Sequence, residues 1–272
     1  MIAEVRDSQP MVQQLAREPG YWVIEFVGGP ASGKSTIESA LREALVIHGH
    51  RPPARASFWA WAGLGRHWSL LTPLILLTRI AGGGVRTWSF LSKMLVWCAT
   101  TAPFGWQNAK IAFVLAAKRA WLARSIQRGK GGHVLYPEFF VNSVAKWAAM
   151  DKISLQDGSA WLSSFYDDVS VLFVYVDTSV DECLRRLASR GDVTSHVQKM
   201  AQSTAAEYLR ELKQVSESCL HLAASHSGAR VIRVDGAGPV EATVQQLFSE
   251  VGLPKDMALD GATASARRSG GR

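Results

Sequence analysis

The sequence predicts a three-layer α/β domain: a parallel sheet of about five strands with helices on both faces and a long helical insert. Three observations carry this prediction. Short β-branched, aromatic runs alternate with segments of helical period. A glycine-rich turn lies directly between the first such run and the first such helix. The stretch between Glu43 and Glu138 contains no Asp or Glu, which sets it apart from the rest of the 272 residues.

Residues 1–20 read as a leader with one short amphipathic segment around 11–16. The run 22–27, bounded by Gly20 and by Gly28-Gly29-Pro30, reads as a buried strand. Gly28-Gly29-Pro30-Ala31-Ser32-Gly33-Lys34-Ser35 follows, then Thr36, which fits the spacing of a phosphate-binding loop. That spacing has a chemical reason. Glycines let successive N–H groups converge on one point, Lys34 reaches the terminal phosphates, and the Ser35 hydroxyl can hold Mg²⁺. Residues 37–48 place Ile37, Ala40, Leu41, Ala44, Leu45 and Ile47 at near-helical spacing, so a helix dipole is aimed at the same phosphates.

Gly49-His50-Arg51-Pro52-Pro53 breaks the pattern, and 54–59 is a candidate second strand. The insert, residues 58–130, carries Trp59, Trp61, Trp68, Trp88, Trp97, Trp106 and Trp121. Residues 51–130 hold twelve Lys and Arg, leaving eighteen basic against twenty-three acidic residues elsewhere. An acidic body thus carries one cationic segment. Its longest uncharged stretch, 94–109, contains Pro103 and Gly105 and falls short of the roughly 18–20 apolar residues of a spanning helix. Two readings fit the insert: a helical subdomain with Trp in the core and Arg on solvent, or an interfacial segment lying on an anionic membrane. Its apolar runs are too long for a nucleic-acid stacking platform, so nucleic acid is not expected.

After the linker 129–132, residues 133–136 read as a strand followed by Pro137 and Glu138. A parallel strand brings its carboxyl end to the loop, so Glu138 can organise Mg²⁺ or serve the acceptor; capping the next helix is the plainer role for a Glu there. Residues 169–176 form the clearest later strand, ending in the cap Asp177-Thr178-Ser179 before a helix. Arg186 and Arg190, four apart, are expected on one helix face, where they can neutralise a transferring phosphoryl group or simply be solvated. A long helix over 195–225, a strand over 230–234, Asp235-Gly236 and a last helix over 240–251 complete the domain 21–253, and 254–272 reads as a disordered tail. Cys98, Cys183 and Cys219 have neither disulfide nor zinc spacing, and the N-terminus lacks a secretory signal, which together lead to the expectation of a cytoplasmic protein.

The motif GGPASGKST, the segment VDTSVDECLRRLASRG and the order of elements resemble the P-loop nucleoside and nucleotide kinases, thymidylate kinase and its relatives in particular. The resemblance implies a P-loop NTPase fold and binding of ATP and Mg²⁺ by Lys34, Ser35 and Thr36. It further implies closure of Arg186 and Arg190 over the phosphates, and an acceptor-side or metal role for Glu138. Tyr136-Pro137-Glu138 stands where those kinases often carry Asp-Arg-Tyr/Trp or Asp-Glu.

The expected activity is Mg²⁺-dependent transfer of the γ-phosphoryl group of ATP to a small anionic acceptor, such as a nucleoside monophosphate or a sugar phosphate. The alternative is a nucleotide-binding regulatory or scaffold protein held at the inner membrane face by the Trp/Arg segment. Both readings allow a homodimer.

Overall fold

The computed structural model describes residues 23–47, 72–101, 106–129, 134–151, 155, 159–167, 169–190, 196–225 and 229–250. The expected leader, the candidate strand over 54–59, the linker residues 130–132 and the tail lie outside them. Strand β1 (Val23–Val27) is wholly buried and lies between β2 (Val134–Tyr136) and β3 (Val171–Asp177). Among the described residues, β4 (Ala229–Asp235) completes a sheet of four strands in the order β2-β1-β3-β4, every pair parallel. β1, β2 and β3 are near-continuous Val, Ile, Leu and aromatic runs, as strands covered on both faces must be.

The two faces bury different clusters. On one, Ile24, Phe26, Leu135, Leu172, Val174 and Val176 pack against α1 (Lys34–Ile47) and the C-terminal helix (Val240–Glu250). On the other, Val23, Val134, Val171 and Phe173 join the described part of the insert, where α2 (Thr72–Ala81), α3 (Gly84–Thr101) and α4 (Trp106–Gly129) pack together. Completing that face are α5 (Phe140–Asp151), α6 (Ser159–Ser164) and the long helix Gln202–Ala223. The element between β3 and the long helix is α7 (Val180–Ala188), so Gln202–Ala223 is α8 and Val240–Glu250 is α9.

Among the described residues, two of the insert's tryptophans are buried and one is not. Trp97 and Trp121 are in the core, Trp97 edge-on to Trp147 at 5.7 Å and Trp121 tilted over Tyr136 at 5.0 Å. Trp88 remains 45% exposed, beside exposed Val85 and Val96 on the same helix. Among the described residues no helix is long and apolar enough to cross a membrane. The expected helix over 195–225 is two elements, a 3-10 turn His196–Lys199 and α8, because Ala201 adopts an extended φ of −60 and ψ of 147 and starts a new helix.

Buried charge ties α5 to the sheet on one side and to the insert on the other. Glu25, fully buried on β1, accepts from the Val141 backbone N–H at 2.8 Å and from the Tyr166 hydroxyl. Lys118 of α4, also buried, donates to the Phe139 carbonyl at 2.9 Å and to Ser143 Oγ. Burial lifts the Glu25 carboxyl to about 7, against the pull of its Tyr166 hydrogen bond, and lowers Lys118 to about 8. A carboxyl raised from 4.5 to about 7 binds more protons folded than unfolded, so its stability contribution is full below pH 4.5 and disappears as pH rises through 7. Thermal unfolding from pH 4.5 to 7.5 is expected to show a loss of at most about 3 kcal/mol from this group, and Glu25→Gln should flatten that part of the profile. An unchanged slope in Glu25→Gln would place the titration elsewhere.

Candidate functional site

β1 delivers the chain to Gly28 at the carboxyl edge of the sheet, where backbone geometry narrows the choice of residue. Gly28 has φ 150, and a Cβ there would stand 2.7 Å from the Val176 carbonyl oxygen. Gly33 has φ 102, and Ala31 takes a left-handed φ of 59 with its methyl group in the cluster formed by Cys183, Leu187 and Leu209. Gly29 O accepts from Ser32 N at 3.3 Å, and Gly33 O accepts from both Thr36 N and Ile37 N at 3.0 Å. The loop therefore closes on itself and runs directly into the first turn of α1, with Ser35 and Thr36 exposed at the helix N-terminus. The residue spacing predicts such a turn between strand and helix.

Lys34 is buried and folded back over the loop. Its ammonium donates to Gly28 O at 2.9 Å, Gly29 O at 2.6 Å and Ser32 Oγ at 3.4 Å. Glu138, just after β2, lies 3.8 Å from it, so two residues more than a hundred positions apart in sequence meet across the loop. Burial lowers Lys34 to about 8, with Glu138 opposing the shift and Lys146 and Arg190 reinforcing it. At Glu138 burial pushes upward, but Lys146 at 2.8 Å and Lys34 together hold the carboxyl below its usual range. The half-exposed carboxylate is thus kept ionised between two ammonium groups.

The other side of the loop is held by α7 and the end of β4. Arg186 Nη1 donates to Ala31 O at 3.3 Å and Nη2 to Gly236 O at 2.9 Å, while Nε pairs with Glu182 at 2.6 Å. Arg186 is therefore a strut between the loop and the end of β4. Arg190 departs from the expectation of one shared helix face: α7 ends at Ala188 with Ser189 as its cap, and Arg190 lies exposed beyond it. Its charge still reaches Lys34. It also borders a cleft of about 560 Å³ between α7 and α8, with Leu184, Gln198 and Gln202.

Four contributors escape motif reasoning. Thr178 Oγ1 donates to Ser32 O at 2.9 Å, and Gly236 N donates to Asp177 O at 2.8 Å, so the ends of β3 and β4 grip the back of the loop. Asn142 of α5 bonds to both Phe26 and Gly28. Lys146, one turn beyond Asn142, pairs with Glu138. Thr178 and Gly236 lie in turn segments that the sequence marks as strand ends. Asn142 and Lys146 carry no sequence signal, because their role depends on where α5 packs.

The parallel order with the loop leaving a central strand, and α1 capping it, decides the architecture. The fold is that of a P-loop NTPase. No family model matches the sequence, and no curated protein matches it. Among solved structures, the chain is similar to deoxyadenosine kinase from M. mycoides with bound dATP, at a TM-score of 0.45 and 14% identity over 84% of this chain and 98% of that one.

Proposed function

We propose that this chain is an ATP- and Mg²⁺-dependent phosphotransferase acting on a small anionic acceptor. The observation that carries this reading is the 3.8 Å approach of Glu138 to Lys34 at the mouth of the loop, which sets an acid beside the phosphate-binding cation. The cradle fits a nucleotide's phosphates: positive-φ glycines, a helix N-terminus and a lysine stand together in one short loop. Mg²⁺ takes few protein ligands and otherwise binds phosphate and water oxygens, and the Ser35 hydroxyl and Glu138 carboxylate are hard donors of that kind. A metal held there would neutralise charge on the moving phosphoryl group.

The chain's own residues divide the remaining work. Loop amides and Lys34 hold the β- and γ-phosphates, and Arg186 and Arg190 add positive charge beside the group being transferred. Glu138 is assigned to the metal rather than to proton abstraction, because a carboxyl held below its ordinary pKa is a better ligand than a base. Lys34, Lys118, Lys146, Arg186 and Arg190 outnumber Glu25, Glu138 and Glu182 around the site, a balance that favours a negatively charged acceptor. A nucleoside monophosphate, as for thymidylate kinase-like enzymes, or a sugar phosphate meets that requirement.

Glu138→Gln tests the assignment. ATP affinity measured without Mg²⁺ should stay within about threefold of wild type, while the Mg²⁺ concentration giving half-maximal transfer should rise at least about tenfold. An unchanged Mg²⁺ requirement would remove Glu138 from the metal.

A further inference from the structure

The β1 and β2 ladders end at different heights. β1 pairs with β3 as far as Val27↔Tyr175, but with β2 only as far as Glu25↔Tyr136. Beyond Tyr136 the chain turns away at Pro137 and Glu138 to begin α5. That leaves two backbone groups of β1 facing the vacated position, the Phe26 carbonyl and the Gly28 N–H. In a parallel sheet one residue of the neighbouring strand serves both: its N–H donates to the carbonyl before its partner, and its C=O accepts from the N–H after it. In this register that residue would be Glu138, opposite Val27.

Asn142 supplies both bonds from its side chain. Its Nδ2 donates to Phe26 O at 2.6 Å and its Oδ1 accepts from Gly28 N at 3.2 Å, and it is 3% exposed. A carboxamide is a side-chain copy of a peptide group, with one donor and one acceptor facing the right way. The helix bearing it is fixed from two other directions, by Glu25 on the Val141 N–H and by Lys118 on the Phe139 carbonyl.

We propose that Asn142 is a positioning residue for phosphate binding: its carboxamide continues the sheet past the end of β2, freeing Glu138 to turn toward Lys34 and holding the first glycine of the loop in place. This rests on the nucleotide reading above. Gly28 O is also one of the carbonyls that Lys34 grips, so the Asn142 bond and the lysine act on the same residue from opposite sides. Removing the amide leaves a buried carbonyl and a buried N–H unsatisfied at the strand-to-loop junction. The junction would then shift in relation to Glu138.

The test compares wild type, Asn142→Ala and Asn142→Asp by equilibrium binding of ATP across pH 5 to 8, with hydrogen exchange of the 26–28 segment measured without nucleotide. Asn142→Ala should bind ATP at least tenfold more weakly and lose protection at Gly28. Asn142→Asp provides a readout that loss of packing cannot imitate. In its protonated form the carboxyl donates from O–H to Phe26 O and accepts from Gly28 N, reproducing the amide. Ionised, it sets a negative charge against the Phe26 carbonyl. Its affinity relative to wild type should therefore recover as pH falls and collapse as pH rises, even if Asn142→Ala fails to fold. ATP binding by Asn142→Ala within twofold of wild type, or an Asn142→Asp deficit that does not vary with pH, overturns the inference. If wild type binds no ATP while Gly28 is protected through Asn142, the nucleotide reading fails, and the phosphate-binding role of Asn142 fails with it.

Discussion

Lys34→Ala is expected to reduce phosphoryl transfer by about a hundred- to a thousandfold, the usual cost of deleting one preorganised charge from a site of this kind. Among the described residues, this is the ammonium that is both buried and bonded to the loop. It now satisfies three acceptors, Gly28 O, Gly29 O and Ser32 Oγ. On the nucleotide reading, Lys34 is held by its own loop and exchanges those partners for phosphate oxygens. Because burial lowers Lys34 to about 8, nucleotide affinity should fall as pH rises through that value, when the group loses its charge. The same titration in Lys34→Ala should be flat over this range. A wild-type affinity independent of pH from 7 to 9 would show that Lys34 does not govern binding.

Gly236→Val is expected to damage the site from behind. A Cβ at Gly236 would stand 2.7 Å from Val176 Cγ1 and closer still to Thr178 Oγ1 and the Ser32 carbonyl oxygen. Two of these neighbours belong to the contact in which Thr178 donates to Ser32 O. One of that pair, the Ser32 carbonyl oxygen, is backbone, so the loop itself must move. Overpacking of this kind costs about 1–3 kcal/mol, corresponding to a melting temperature about 5 °C lower. The loss of ATP affinity should exceed tenfold, because the displaced residue is Ser32 and because Gly236 O is also the acceptor for Arg186 Nη2. Gly238→Val, at a position where a Cβ meets nothing nearer than 3.4 Å, is the control expected to retain affinity. Equal effects at the two glycines would argue against a tight β4-to-loop contact.

What the sequence discloses and what it conceals divide along the range of the interactions. The strand, loop and helix from Val23 to Ile47 are legible because each depends on neighbours: β-branched residues, glycines at two fixed positions, and a helical apolar period. Lys34 and Glu138 could be named separately, the first from its motif and the second from its place after a strand, and the structure brings them together. The fates of the tryptophans were open in the sequence, since a Trp beside Arg suits both a core and an interface. Packing decides Trp97 and Trp121 in favour of the core and leaves Trp88 partly on the surface. The break before α8 escapes notice because the apolar period continues across it, with Val197 buried in the 3-10 turn and Ala205 in the helix. Asn142 has the least local signal of all. It matters because β2 stops two residues short of its partner, which is a property of the ladder rather than of any motif.

The central claim is that this loop binds ATP and passes on its terminal phosphoryl group. The most direct measurement is incubation of the protein with γ-labelled ATP and Mg²⁺ against a panel of nucleosides, nucleoside monophosphates, sugars and sugar phosphates, with Lys34→Ala run alongside. The account predicts a labelled product from an anionic acceptor that disappears in the variant. ATP bound by wild type with label recovered only as ATP or free phosphate, across the whole panel, would contradict it.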